Sequence, residues 1–101
     1  MKQYTTPEQT AKLIELGAEK PRCLHNCVLA YNVGELIEML PEVICLSNDD
    51  SIHYYLEVYN NALYWNVAYK DGDYEAYHVD ADELIDALYY TIVRLKEEGT
   101  I

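Results

Sequence analysis

At 101 residues, half of them hydrophobic and a quarter charged, the chain has room for one folded domain and too much apolar content to be disordered. Its net charge of −11 argues against phosphate backbones and anionic membrane surfaces as partners, and no apolar run approaches the roughly 20 residues of a membrane-spanning helix. Eleven tyrosines and one tryptophan with no phenylalanine point instead to a sheet with a wet face, since tyrosine packs with its ring and hydrogen-bonds with its hydroxyl.

The start, Met1 to Pro7, has no apolar signal core, so the expectation is a protein that is not exported, with the cytoplasm as its place. Thr6, Pro7 and Gln9 form a capping-box pattern with proline at the first helical position, and Gly17 is placed to end the helix, which predicts a helix over 7–16. Glu19 to Arg22 reads as a loop, and Cys23 to Tyr31 as a short strand. Asn32 then caps a second helix, with Glu35 three residues on. Its apolar positions Val33, Leu36, Ile37 and Leu40 follow helical spacing, and Pro41 closes it.

Val43 to Leu46 is a short β run, and Ser47 to Ser51 a loop. From Ile52 to Val79 apolar and polar residues alternate, interrupted by two turn signals, Asn60-Asn61 and Asp71-Gly72. Two-residue turns at both would place Val58 opposite Leu63 and Tyr69 opposite Tyr74. One face then collects Leu56, Trp65, Val67, Tyr69 and His78, and the other Tyr55, Tyr59, Tyr64, Asn66 and Tyr77. Asp80 and Glu83 suggest that the last helix starts at Asp80. Its stripe of Ala81, Leu84, Ile85, Leu88, Ile92 and Leu95 is wide enough to cover the apolar face, and residues 97–101 read as a frayed exit. The expected fold is a single α+β domain over 1–101. It is an antiparallel β-meander of three main strands, extendable to four or five, packed on a C-terminal helix with two short N-terminal helices beside it.

Nothing in the chain reads as a catalytic signature. It lacks a G-x-S-x-G elbow, a glycine-rich phosphate loop and an H-E-x-x-H helix. Cys23, His25 and Cys27 resemble half of a zinc knuckle. The other candidates, Cys45, His53 and His78, are scattered, so the cysteines are expected to be small apolar residues near the core and no metal or other cofactor is expected. His78 beside Trp65 is expected to be a buried histidine satisfied by a tyrosine hydroxyl rather than a catalytic group, and the chain is not expected to be an enzyme.

The contact surface expected from the sequence is the polar face of the meander, with Tyr55, Tyr59, Tyr64, Asn66 and Tyr77 as its contact residues, His53, Glu57 and Glu75 beside them, and an unidentified protein as partner. Aromatic sheets that stack nucleic acid bases come with basic residues, and the meander has only Lys70, so nucleic acid is rejected. Thirteen acids lie between Glu35 and Asp86 against that one base. A second reading takes this acidity as mimicry of DNA, aimed at a nucleic-acid-binding or defence protein. A homodimer through the Tyr89–Val93 flank or an open strand edge is compatible with either.

The segments Y-T-T-P-E-Q-T-A-K-L-I-E-L-G (4–17), V-G-E-L-I-E-M-L-P (33–41), E-L-I-D-A-L-Y (83–89) and I-V-R-L-K-E-E-G-T-I (92–101) resemble a family of short uncharacterised proteins. Those proteins are encoded in gut bacteroidete genomes, often in phages and other mobile elements. The resemblance covers about half the chain. It implies a helix–meander–helix α+β domain in a mobile-element setting, and it carries over no functional residue.

Overall fold

The computed structural model describes residues 2–45 and 52–101. Helix α1 (Pro7–Glu15) begins where the sequence places it. The Thr6 hydroxyl accepts the Gln9 N–H at 3.1 Å, and the Gln9 side chain accepts the Thr6 N–H at 3.0 Å. It ends at Gly17, whose φ of 97° lets the Ala18 and Gly17 N–H groups fold back onto the Leu13 and Ile14 carbonyls. The other short helix, α2 (Val33–Met39), has the same device in Asn32 and Glu35. Both helices are too short to stand alone, and each is held by its buried side, Leu13 in one and Leu36 in the other.

Between them the expected single strand is instead a hairpin, β1 (Cys23–His25) and β2 (Val28–Ala30). Asn26 and Cys27 both take left-handed backbone, at φ of 53° and 64°, which folds the chain back on itself in two residues. Ala30 is buried, and the ring of His25 stacks on Tyr4 at 4.5 Å. Tyr31 is sealed in the core, with its hydroxyl donated to the Glu19 carbonyl.

The main sheet has four antiparallel strands in chain order, β3 (Val43–Ile44), β4 (Tyr54–Asn60), β5 (Trp65–Asp71) and β6 (Tyr74–Ala81). The loop expected over 47–51 lies outside the described residues. Both expected registers are corrected. Val58 faces Val67, not Leu63, because the turn uses four residues, 61–64. The Asn60 side chain accepts the Ala62 N–H, and the Asn61 side chain accepts those of Leu63 and Tyr64. The shift is an even number of residues, so the faces of β4 and β5 stay as expected, although Leu63 ends in the turn, 78% exposed.

The second correction changes faces. Asp71 pairs with Tyr74 and Lys70 with Glu75, but the next rung joins Tyr69 to Tyr77, leaving Ala76 as an extra, unpaired residue. Beyond this bulge every side chain of β6 is turned over. Tyr77, Val79 and Ala81 face the core and His78 faces out, the reverse of the unbroken alternation.

Helix α3 (Leu84–Glu97) lies across the inner face of β5 and β6, and α1 and α2 pack against it. It starts four residues later than expected, since Asp80 and Ala81 complete β6. Of the two acids expected to start it, Asp80 bonds His78 and Glu83 accepts the Lys2 N–H at 3.0 Å; Asp86, in its first turn, accepts the Lys2 ammonium at 2.7 Å and the Gln9 amide at 2.9 Å. Leu84, Ile85, Leu88, Ile92 and Leu95 are buried, as the stripe requires. Tyr89 and Val93 are partly buried against the same core, while Tyr90 is exposed. The exit is closed, not frayed. Gly99, at φ 77°, lets the Thr100 N–H reach the Leu95 carbonyl at 2.8 Å, and Ile101 packs on the core. No helix among the described residues is long and apolar enough to cross a membrane.

Candidate functional site: the outer face of the sheet

All three helices share the core with Val67 and Tyr69, so none of them covers the opposite face of the four strands. The register sorts this outer face into rungs. Tyr59, Asn66 and Asp80 lie on one, Glu57, Ala68 and His78 on the next, and Val43, Tyr55, Lys70 and Glu75 on the third. Antiparallel pairing is what brings side chains so distant in the sequence within reach of one another.

Lys70 occupies the centre. Its ammonium lies 3.4 Å from Glu75, 3.5 Å from Glu57, and 5.3 Å over the ring of Tyr59. Burial alone would lower its pKa; Glu75, Tyr59 and Glu57 together outweigh burial and raise it. His78 is locked beside it, with one ring nitrogen 3.0 Å from Glu75 and the other 2.7 Å from Asp80 and 2.9 Å from Asn66. The bond to His78, then Lys70, holds the Glu75 carboxyl below its ordinary pKa against the opposing effect of burial. Under this layer Asn66 and Ala68 are only 2% and 0% exposed although they point away from the helices. The face is a crust of side chains fixed by mutual bonds.

Of the five residues expected to make contact, the structure brings together three. Tyr55, 55% exposed, and Tyr59, half-buried, stand on this face, with Asn66 beneath them. Tyr64 is exposed in the adjoining turn, where its carbonyl accepts the Asn66 amide at 3.1 Å. Tyr77 does not belong. The bulge at Ala76 turns it into the core, where its ring meets Tyr69 edge-on at 6.4 Å and lies under Arg94 at 4.7 Å, and its hydroxyl is donated to Glu98. The same bulge corrects His78, expected inside and found outside. Glu57 and Glu75 stand on this face as the alternation expects, whereas Asp80, expected to start the last helix, lies here instead. The signal that finds Asp80 is the strict alternation of Tyr77, Val79 and Ala81 with His78 and Asp80, which is out of phase with the residues before Ala76.

The remaining candidates are dispersed. Cys27 and Cys45 are exposed and Cys23 half-buried, not packed in the core, and among the described residues no group of three His, Cys, Asp or Glu converges as a metal site. Cys23 instead bonds the buried Glu35, which raises the thiol pKa. The described acids of the 35–86 stretch are divided among α2, the outer face, the β5–β6 turn and the start of α3. Glu35, Glu83 and Asp86 are already engaged in internal bonds. Hollows of about 320 Å³ beside Glu35 and about 450 Å³ beside Tyr4 are lined by neither His78 nor His53. No family model matches this chain, and no curated protein and no solved structure matches it either.

Proposed function

We propose that the chain is a non-catalytic protein-binding domain and that the outer face of the sheet takes a protein carrying basic side chains. The observation that carries this reading is the ordered juxtaposition of tyrosines with carboxylates there. Tyr55 and Tyr59 share the face with Glu57, Glu75 and Asp80, all positioned around Lys70 and His78. Aromatic side chains give binding area at low entropic cost, and carboxylates around them favour lysine or arginine on the partner. Because the crust is already bonded, little ordering is required on contact, which lowers the cost of association. An accessory factor of a phage or mobile element acting on a cellular protein is the biological setting this reading takes, in line with the family resemblance. The described acids offer no single row of phosphate-like charges, so DNA mimicry draws no specific support from their geometry.

The test is capture of partners by the tagged chain and by a Tyr55→Ser/Tyr64→Ser variant. Both tyrosines are exposed, so the variant is expected to stay folded and to lose the partner. A partner retained in full by the folded variant would remove the tyrosines from the interface.

A further inference from the structure

We propose that two copies of this chain associate through the β1–β2 hairpin, each setting its Leu24–Leu29 pair against the other. The two leucines lie directly opposite one another in the hairpin register, and they are 67% and 43% exposed. They share one face of the hairpin. The alternate face carries Ala30, which is buried, and His25, which stacks on Tyr4. A cross-strand leucine pair at the surface is ready-made contact area.

The charge distribution identifies the occupant. From Cys23 to Gly34 the sequence has no Asp, Glu, Lys or Arg, and neither does Gln3 to Pro7, which lies alongside. The rest of the chain bears the whole net charge of −11. A two-fold contact sets a surface against itself, so acidic regions repel one another and only a neutral region is self-compatible. A basic partner, by contrast, is drawn to the carboxylates of the sheet. The hollow of about 450 Å³ next to the hairpin continues the neutral region, lined by Gln3, Tyr4, Asn32, Val33, Gly34 and Leu84. Each copy therefore offers both an apolar projection and an uncharged recess. A hairpin of this size covers less than the roughly 800 Å² per partner of a standard interface, so the association is weak and reversible.

The experiment is sedimentation velocity of the full chain from roughly 10 μM to roughly 1 mM, where weak contacts become populated, at low and high salt. The mass should rise toward that of a dimer with concentration, and more so at high salt, because salt screens the repulsion between acidic copies. Leu24→Glu/Leu29→Glu should remain monomeric with an unchanged circular dichroism spectrum, and Leu24→Thr/Leu29→Thr should weaken the dimer if the acidic variant unfolds. Leu63→Glu, in the distant β4–β5 turn, should behave as the unaltered chain. A chain monomeric throughout would overturn the proposal. A dimer that both leucine variants leave intact, or one that salt dissolves, would do so as well.

Discussion

Replacing Tyr77 by serine tests the bulge at Ala76, on which the composition of both faces of the sheet depends. The side chain is 7% exposed, and its ring packs edge-on against Tyr69 and under the Arg94 guanidinium. Truncating a buried aromatic residue costs about 3–5 kcal/mol. The edge-on pair and the cation over the ring each account for about 0.5–1 kcal/mol of it. Domains of this size are stable by only about 5–15 kcal/mol, so the loss is a large fraction of the total. The melting midpoint should fall by more than about 10 °C, at roughly 4–8 °C per kcal/mol. Tyr77→Phe keeps the ring and gives up the hydroxyl's bonds to Glu98 and Thr100, a loss of about 1 kcal/mol. Tyr55→Ser, at a position 55% exposed, should stay within about 1 kcal/mol of the unaltered chain. Urea and thermal unfolding followed by circular dichroism give all three values. If Tyr77→Ser were nearly neutral while His78→Ser were strongly destabilising, β6 would run without a bulge and the reasoning would be refuted.

Asn32→Ala removes the side-chain acceptor of the Glu35 N–H, leaving the backbone N–H of residue 32 to bond the Glu35 carboxylate, and should cost about 1 kcal/mol in the same assay, with no loss if the cap does not matter. At acid pH, two internal carboxylates set the limb. Burial would raise Glu35, but the Arg22 N–H, the Cys23 thiol and the Asn32 N–H outweigh it. Burial would likewise raise Asp86, but Lys2 and Gln9 outweigh it, so both carboxyls end below their ordinary values of 4.5 and 3.8. A lowered folded pKa adds stability that is complete above the ordinary value and is lost as pH falls through the folded one. The urea midpoint should therefore drop below about pH 4.5, and Glu35→Gln/Asp86→Asn should flatten that drop. An unchanged acid limb in the double variant would contradict the assignment. At alkaline pH burial pushes Tyr69 up to about 12, so its contribution is full below the ordinary value of 10.0 and is lost as pH rises through about 12. Tyrosinate absorbance should show a late-titrating group that Tyr69→Phe removes; eleven tyrosines titrating together in the folded chain would count against this.

Where a local device decides the structure, the sequence is readable. Thr6 with Gln9 and Asn32 with Glu35 satisfy orphan helix donors within four residues of chain, and both helices start where those patterns stand. The stripe of α3 was equally plain, because its leucines and isoleucines repeat at helical spacing over three turns. What escaped was decided at a distance. Asn60-Asn61 marks a turn, but whether two residues or four close it depends on which strand positions meet, and the asparagines served the longer turn with their side chains. The bulge at Ala76 shows in the sequence only as a change of phase over residues 77–81, too short a run to fix the register by itself. Only packing Tyr77 against Tyr69 and Arg94, with His78 between Glu75 and Asp80, selects one. Asp80 and Glu83 resembled a helix start because the pattern is short, and the strand alternation that ends at Ala81 took precedence. The candidate face is therefore legible in Tyr55, Glu57, Tyr59, Asn66 and Glu75, and illegible in Tyr77, His78 and Asp80, which lie beyond the bulge.

The most direct test of the proposed contact face is affinity capture from cell lysate, with the unaltered chain and Tyr55→Ser/Tyr64→Ser compared at low and high salt. A basic protein should be recovered in stoichiometric amount by the unaltered chain, weakened by salt, and lost with the folded variant. Recovery of the same protein by both chains, or of no protein by either, would contradict a binding role for the outer face of the sheet.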